Sequence, residues 1–460
     1  MGKLFGSSGV RGLVNVELTP VLACSVGLAV ATFARAKCAV VACDTRVSGG
    51  MLQDALVSGL VSCGLTVYIV GVVPTPVLAY VTRVLGADVG FMITASHNPP
   101  QYNGIKVFNS KTLSLADSEQ AAVEKIVSEK AYALADWRCL GKTVLYDACS
   151  AYLDMVKRVV SLCKRWHVVV DPGCGAAYSV APQMFKLLGC KVTVLNGQPD
   201  GHFPARTSEP TAKSLEVLSK TVCALGADIG VAFDGDADRV AFVDEHGVFV
   251  NFDRALAAYS SYALQQANRS SSGSGGGVVV TNVEASMCVE TLSEGLGGRV
   301  VRTKVGDIYV SEVIERDSAV FGGEPCGAWV HPLQHYCPDG PLSAALFLKA
   351  LEDEGKSVSE FIDKVPLYIT LRENITCPND IKAKVVTEIV TTIKNEFSSS
   401  YTDFSNIDGV RLALKNGWLL IRASGTEPLI RITVEGESDN VAKELMHKAT
   451  ILIHKQIKGT

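Results

Sequence analysis

At 460 residues the chain is too long for a single hydrophobic core and calls for three or four domains. With 48% hydrophobic and 20% charged residues it has the composition of an ordinary soluble protein, and a net charge of −4 argues against nucleic-acid binding, which needs a concentrated basic face. Fourteen cysteines are scattered without one Cys-x-x-Cys pair, so they read as reduced, mostly buried thiols of a cytoplasmic protein, not as a disulfide or zinc scaffold.

In chain order, the polar, glycine-rich Gly6 to Gly12 is followed by the apolar Val21 to Ala34. That run is too short to span a bilayer and lacks the basic flank of a signal peptide, so it reads as a buried helix, and no other run is a membrane candidate. A unit of apolar strand, polar loop, amphipathic helix, glycine and second apolar strand then recurs three times. Its copies run from Ala39-Val40-Val41-Ala42 to Val67-Tyr68-Ile69-Val70, from Val168-Val169-Val170 to Val192-Thr193-Val194-Leu195, and from Val278-Val279-Val280 to Val300-Val301. In the first copy Leu52, Ala55, Leu56, Leu60 and Val61 keep helical spacing, with Gly64 at the stop. Strands without polar alternation are buried on both faces, so each copy predicts a βαβ unit in a mixed, mainly parallel sheet, and the fold class is α/β.

The last segment differs. Val410 to Leu414, the turn Lys415-Asn416-Gly417, and Trp418 to Ile421 predict a hairpin, Leu429 to Val434 a further strand, and Asn440 to Ile457 a covering helix, together a smaller α+β domain. Boundaries near Thr143, Val248 and Val365 give domains 1–143, 144–248, 249–365 and 366–460. The Ser/Gly run Ser270 to Gly277 reads as a mobile surface loop.

Four segments carry chemistry. After the apolar Val89 to Ile93, Thr94-Ala95-Ser96-His97-Asn98-Pro99-Pro100-Gln101-Tyr102-Asn103-Gly104-Ile105-Lys106 sets a hydroxyl beside an imidazole and an ammonium at a strand's carboxyl end. This suits holding and passing on a phosphoryl group, though a Ser-His pair alone is usually an ordinary loop. After Ile229 to Phe233, the turn Asp234-Gly235-Asp236-Ala237-Asp238-Arg239 offers three alternating carboxylates to one hard cation. So few oxygen ligands favour magnesium, calcium being the competing ion and an acidic surface turn the bland alternative. Arg422-Ala423-Ser424-Gly425-Thr426-Glu427-Pro428 with Arg431 makes either an anion nest or a plain hairpin turn. Gly322-Gly323-Glu324-Pro325-Cys326-Gly327, a loop after Ala319 to Phe321, carries a Glu able to accept bonds from sugar hydroxyls or an amine.

Together the four resemble the α-D-phosphohexomutase superfamily from Phe5 to about Glu437, in the order phosphoserine loop, metal loop, sugar loop, phosphate loop. Phe5 to Gly12, containing Ser8, and Pro74-Thr75-Pro76 look like the same family. Gly322 to Gly327 and Lys304-Val305-Gly306-Asp307-Ile308-Tyr309-Val310 look most like the archaeal phosphoglucosamine mutases. The resemblance implies a four-domain heart-shaped architecture and a phosphoserine enzyme that interconverts glucosamine-6-phosphate and glucosamine-1-phosphate through a hexose-1,6-bisphosphate, which is also the activator. The alternatives are a phosphomannomutase/phosphoglucomutase and a non-catalytic sugar-phosphate binding protein.

By that match Ser96, His97, Lys106 and Arg11 are catalytic. Mg2+ is held by Ser96, Asp234, Asp236 and Asp238 with Arg239 adjacent. The phosphorylated hexose meets Ser8, Lys304, Asp307, Glu324, Cys326, Arg422, Ser424, Gly425, Thr426 and Arg431. Lys106 lies between Ile105 and Val107, so desolvation acts to lower its pKa toward a useful range while the magnesium and phosphate charges also act on it, and the sequence leaves base and acid unassigned. Bacterial relatives often have a histidine after the sugar-loop Glu where Ala328 stands here, and His331 or His335 is a candidate substitute. The protein is expected to be a monomer or homodimer with no membrane or nucleic-acid partner.

Overall fold

The computed structural model describes residues 4–6, 9–270, 276–397, 401–424 and 427–459. The chain forms two compact units, Met1–Phe252 with Gly306–Asp363, and Asp253–Val305 with Lys364–Thr460. The third segment of the sequence is thus shared between them.

The first unit holds a seven-stranded mixed sheet ordered Phe5–Gly6, Gly9–Leu13, Tyr102–Asn109, Val89–Ile93, Cys38–Cys43, Thr66–Val72 and Lys142–Leu145. The last four run parallel and the others antiparallel. A second sheet is ordered Val240–Val243, Ile229–Phe233, His167–Asp171 and Lys191–Val194. Both central strands, Val89–Ile93 and Ile229–Phe233, are buried at every residue, as expected for strands without polar alternation. Each ends where a chemistry-bearing loop begins.

The apolar run near the start is the helix Pro20–Ala34, capped by Thr19, whose hydroxyl accepts from the Leu22 amide. It packs on Gly49–Ser62, the helix read from the Leu52–Leu56–Leu60 spacing, whose core residues are those three. The crossing is close because glycines meet backbone: a Cβ on Gly59 would lie 2.6 Å from the Cys24 carbonyl oxygen, and one on Gly27 2.7 Å from that of Leu56.

Asp307–Asp317, the hairpin Phe321–Gly323/Trp329–Val330, Gly340–Glu354 and Val358–Asp363 complete this unit. The sugar-loop strand therefore takes in Gly322 and Gly323 instead of ending at Phe321, because both pair with Val330 and Trp329. Trp329 and Phe347 pack on Phe242, the Phe347 ring stacking at 4.2 Å.

In the second unit, Val278–Asn282 and Arg299–Thr303 are parallel with Cys288–Glu294 between them, the third βαβ copy. An antiparallel sheet runs Ile369–Thr376, Leu429–Gly436, Gly417–Ala423, Val410–Leu414, Tyr401–Ser405. The hairpin is as read except that its turn is Lys415-Asn416 alone, because Gly417 already pairs with Leu414. Alternation then sorts one strand: Leu419 and Ile421 meet the helices Lys382–Glu396 and Asp439–Gly459, while Trp418 and Leu420 pack on Val283. Buried Glu435 accepts from the Trp418 indole at 2.8 Å and the Met287 amide at 2.9 Å.

All fourteen cysteines are free, but only six are buried, and Cys139, Cys163 and Cys223 are exposed. No helix among the described residues is long and apolar enough to cross a membrane. Residues 271–275 of the Ser/Gly run lie outside those described.

Gly59→Ala should lower stability by about 1–3 kcal/mol through overpacking, read as a lower urea midpoint. Gly50→Ala, in the same helix with nothing within 4 Å of its added Cβ, should instead gain about 0.5–1 kcal/mol.

Candidate active site

Ser96 lies three residues past the strand Val89–Ile93, is 1% exposed, and has a left-handed backbone with φ 50°. For a residue with a Cβ this costs about 1–2 kcal/mol, so the surroundings must hold it. Its Oγ donates to Asp234 Oδ2 at 2.6 Å and lies 3.4 Å from His97 Nδ1. The loop packs directly on the acidic turn, where a Cβ on Gly235 would come within 2.5 Å of the Ser96 carbonyl oxygen. Glycine between the first two carboxylates is thus a steric requirement of bringing serine and carboxylates together.

Asp234, Asp236 and Asp238 are buried, and one carboxylate oxygen from each lies within 4.8 Å of the others. Asp236 Oδ2 accepts from Thr75 Oγ1 at 2.6 Å and Lys106 Nζ at 2.7 Å, and Lys106 also pairs with Asp238. Asp236 Oδ1 and Asp238 Oδ1 are buried without a hydrogen-bond partner. Unpartnered buried carboxylate oxygens are costly, and together with Asp234 they form an oxygen-only set that suits a hard divalent cation.

The charges around this cluster respond to it. Burial and the neighbouring Asp238 and Asp236 push Asp234 well above the usual carboxylate range. Burial acts the same way on Asp236, but Lys106 and Thr75 outweigh it and hold that group low. Burial works against the Lys106 ammonium, as its apolar neighbours suggest, yet Asp236, Asp238 and Asp307 outweigh it and raise the group above its ordinary value. The apolar neighbours of Lys106 were visible in the sequence, but the carboxylates come from a turn 130 residues away. Burial lowers Arg11, which donates to Asn98 Oδ1 at 2.9 Å, and Asp236 and Asp238 oppose the shift. His97 is pushed down to about 3 by burial and by Arg239 and Arg11, so it is a neutral imidazole. Arg239 is raised, because Cys326, Asp238, Asp234 and Glu324 outweigh its desolvation.

Glu324 is buried, and its Oε1 accepts from the Gly306 amide at 2.8 Å, immediately before Asp307 opens its helix. Burial pushes the Cys326 thiol up to about 12. His331 Nε2 lies 2.9 Å from Ser343 Oγ, and His335 Nε2 2.9 Å from Asp339 Oδ2. Both histidines thus engage the start of the helix Gly340–Glu354, which Asp339 caps.

In the second unit, Arg422 and Arg431 sit opposite each other on adjacent strands. Such like-charge pairs need counter-charge, supplied by Glu284 and by Asp408 at 2.7 Å for Arg422, and by Glu427 at 2.9 Å for Arg431. Ser424 Oγ accepts from the Glu427 amide at 3.1 Å. Lys304 belongs to this unit, one residue past the strand Arg299–Thr303. Ser8, Gly425 and Thr426 lie outside the described residues.

Sequence reasoning passed over two buried Asp–Arg pairs. Asp44 and Arg46 follow the strand Cys38–Cys43, with Arg46 Nε 3.0 Å from Asp44 Oδ2. Asp171 ends the strand His167–Asp171, the corresponding strand of the second βαβ copy, and Arg206 Nε lies 2.9 Å from its Oδ2. Arg206 Nη2 also donates to the Phe233 carbonyl at 2.7 Å, just before Asp234. A charged residue directly after an apolar strand was the available signal.

Four segments match known domain descriptions: Phosphoglucomutase/phosphomannomutase alpha/beta/alpha domain I over residues 2–133, domain II over 150–247, domain III over 251–368, and the C-terminal domain over 374–451. The chain belongs to the phosphoglucomutase/phosphomannomutase family. A probable phosphoglucosamine mutase of Pyrococcus abyssi is 42% identical over 458 residues, covering 100% of this chain and 99% of that protein. One from Methanopyrus kandleri is 41% identical over 460 residues, with the same coverage. A phosphoglucomutase/phosphomannomutase family protein from Burkholderia thailandensis superposes with TM-score 0.87 at 25% identity, covering 99% of this chain and 97% of that one. The serine loop lies in the segment that matches domain I and the acidic turn in the segment that matches domain II.

If the acidic turn of this phosphohexomutase holds a divalent cation, the hydroxyl behind Asp236 orients a ligand. Thr75→Val should then weaken Mn2+ or Mg2+ binding, measured by titration calorimetry, by about 10–100-fold. Unchanged affinity would remove Thr75 from the support of the site.

Proposed function

We propose that this chain is a phosphoglucosamine mutase, interconverting glucosamine-6-phosphate and glucosamine-1-phosphate through a phosphoserine at Ser96 and a hexose-1,6-bisphosphate. The observation that carries the reading is the buried Ser96 Oγ, 2.6 Å from Asp234, beside the unpartnered oxygens of Asp236 and Asp238. The names of the archaeal relatives support the amino sugar.

In the first half-reaction a sugar hydroxyl oxygen bonds to the phosphorus on Ser96 as the P–Oγ bond breaks, and the hydroxyl proton leaves to a nearby base. In the second, Ser96 Oγ takes the phosphoryl group from the other end of the bisphosphate, so no phosphate is gained or lost. The transition state is loose, with charge spread over the phosphoryl oxygens, and positioning and charge compensation are the protein's contribution. Magnesium on Ser96, Asp234, Asp236 and Asp238 would neutralise part of that charge. Lys106, kept charged by its carboxylates, offers a donor to the reacting oxygens, and Arg11 a second cation. We assign these two to proton transfer and charge compensation, with His97 beside the serine oxygen. Arg422, Ser424 and Arg431 are assigned to the distal phosphate, and Lys304, Asp307, Glu324 and Cys326 to the sugar. The free cysteines fit a reducing cytoplasm.

A phosphomannomutase/phosphoglucomutase would use the same phosphoryl chemistry, and the family's own description favours keeping it as the second reading. A coupled assay on glucosamine-6-, mannose-6- and glucose-6-phosphate with a trace of bisphosphate separates the two. Glucosamine-6-phosphate should have the highest kcat/KM, because a carboxylate near the ammonium adds a charge-assisted bond the other sugars cannot make. A preference of about tenfold for another sugar, about 1.4 kcal/mol of discrimination, would reject the subgroup and leave the superfamily mechanism standing. Ser96→Ala should abolish turnover and the single phosphate in intact-protein mass; retention of most activity would refute the relay. Exhaustive chelation should stop the reaction and magnesium restore it.

A further inference from the structure

Ser96 is held by a cluster of three buried side chains that the phosphoryl chemistry above does not use. The Ser96 amide donates to Thr94 Oγ1 at 2.8 Å, and the Thr94 hydroxyl donates to Asp44 Oδ2 at 2.6 Å. Asp44 also accepts from Arg46 Nε at 3.0 Å, and Arg46 Nη2 returns to the Ser96 carbonyl at 2.9 Å. Both polar groups of the Ser96 backbone are therefore tied to one clasp, closed on Asp44. The Asp44 amide donates to the Ile93 carbonyl at 3.0 Å, which fixes the clasp to the strand that delivers the serine.

Arg46 does more than close the ring. Nη2 also donates to the Asn98 carbonyl at 2.6 Å, and Nη1 to the carbonyls of Pro99 at 2.7 Å and Tyr102 at 2.9 Å. A guanidinium has five N–H donors in a fixed planar fork, and here all five are used, four of them on backbone of residues 96–102. The Phe203 ring lies over the guanidinium at 5.1 Å, and Arg46 is 3% exposed. None of these bonds touches the Ser96 hydroxyl, which is left to face Asp234.

We infer that Arg46, anchored by Asp44 and Thr94, is the positioning residue that holds Ser96 in its left-handed conformation and so aims Oγ for phosphoryl transfer. This rests on the phosphoserine reading above. Lysine cannot replace it, because an ammonium has three donors and no plane.

The test uses the full-length protein with magnesium. Steady-state kcat and KM are measured, together with the rate at which dephosphorylated protein takes phosphate from glucose-1,6-bisphosphate, followed by intact mass. Arg46→Lys should lower both kcat and the phosphorylation rate by about 100-fold with KM within about threefold, since a misplacement of about 1 Å suffices for such a loss. Thr94→Val should lower kcat in the same way, and Thr94→Ser, which returns the hydroxyl, should recover it. Arg46→Lys with wild-type kcat, or variants that lose their fold instead of their turnover, would overturn the inference and make the cluster merely structural. A wild type that neither turns over a hexose phosphate nor accepts phosphate would sink the phosphoserine reading itself, a separate and recognisable outcome.

Discussion

Three carboxylates of one short turn are buried together, and much of the first unit is arranged around that fact. Like charges removed from water repel strongly and are tolerated only where counter-charge is close. Lys106 supplies it from the neighbouring sheet, and Arg11 and Arg239 add to the local field. Two oxygens, one each on Asp236 and Asp238, still have no hydrogen-bond partner. The protein has thus spread its cations around the cluster without saturating its hydrogen bonds, and what is left is an oxygen-only set of the kind that suits a hard divalent ion.

The backbone solves a second problem, that of bringing a hydroxyl from one sheet to carboxylates from another. Both loops leave the carboxyl ends of fully buried strands, the usual place for chemistry in open α/β sheets. Gly235 lets the two loops meet at van der Waals distance. Behind each loop stands an Asp–Arg pair, Asp44–Arg46 behind the serine and Asp171–Arg206 behind the acidic turn. Asp44 comes just after, and Asp171 at the end of, the first strand of its βαβ unit, so the repeat supplies a common frame for different chemistry.

The βαβ repeats were legible because burial on both faces leaves unbroken apolar runs, and the reactive loops because hydroxyl, imidazole and alternating carboxylates interrupt those runs so abruptly. Arg46 and Arg206 were not, since their acceptors are backbone carbonyls, which every residue has and no sequence pattern marks. The net direction of the Lys106 shift was not legible for a related reason: Ile105 and Val107, which desolvate it, are local, and the carboxylates that raise it are not. His331 and His335 looked available for the sugar site, but each has its Nε2 turned to the start of a helix. The glycines of the sugar loop suggested an irregular chain, whereas cross-strand pairing draws Gly322 and Gly323 into a strand.

The division of the third segment between the two units bears on how the chain is made. Ribosomes deliver the amino-terminal part first, and domains generally fold as they emerge. Here a chain halted at Phe252 would have its serine, lysine and acidic turn, yet Phe242 would lack Trp329 and Phe347, and Tyr152 would lack the carboxylate of Asp339 that its hydroxyl donates to at 2.6 Å. The charged cluster is therefore synthesised well before the residues that finish the core beside it. During that interval the nascent first unit carries exposed aromatic surface, and its completion waits for the stretch ending at Asp363 to leave the ribosome.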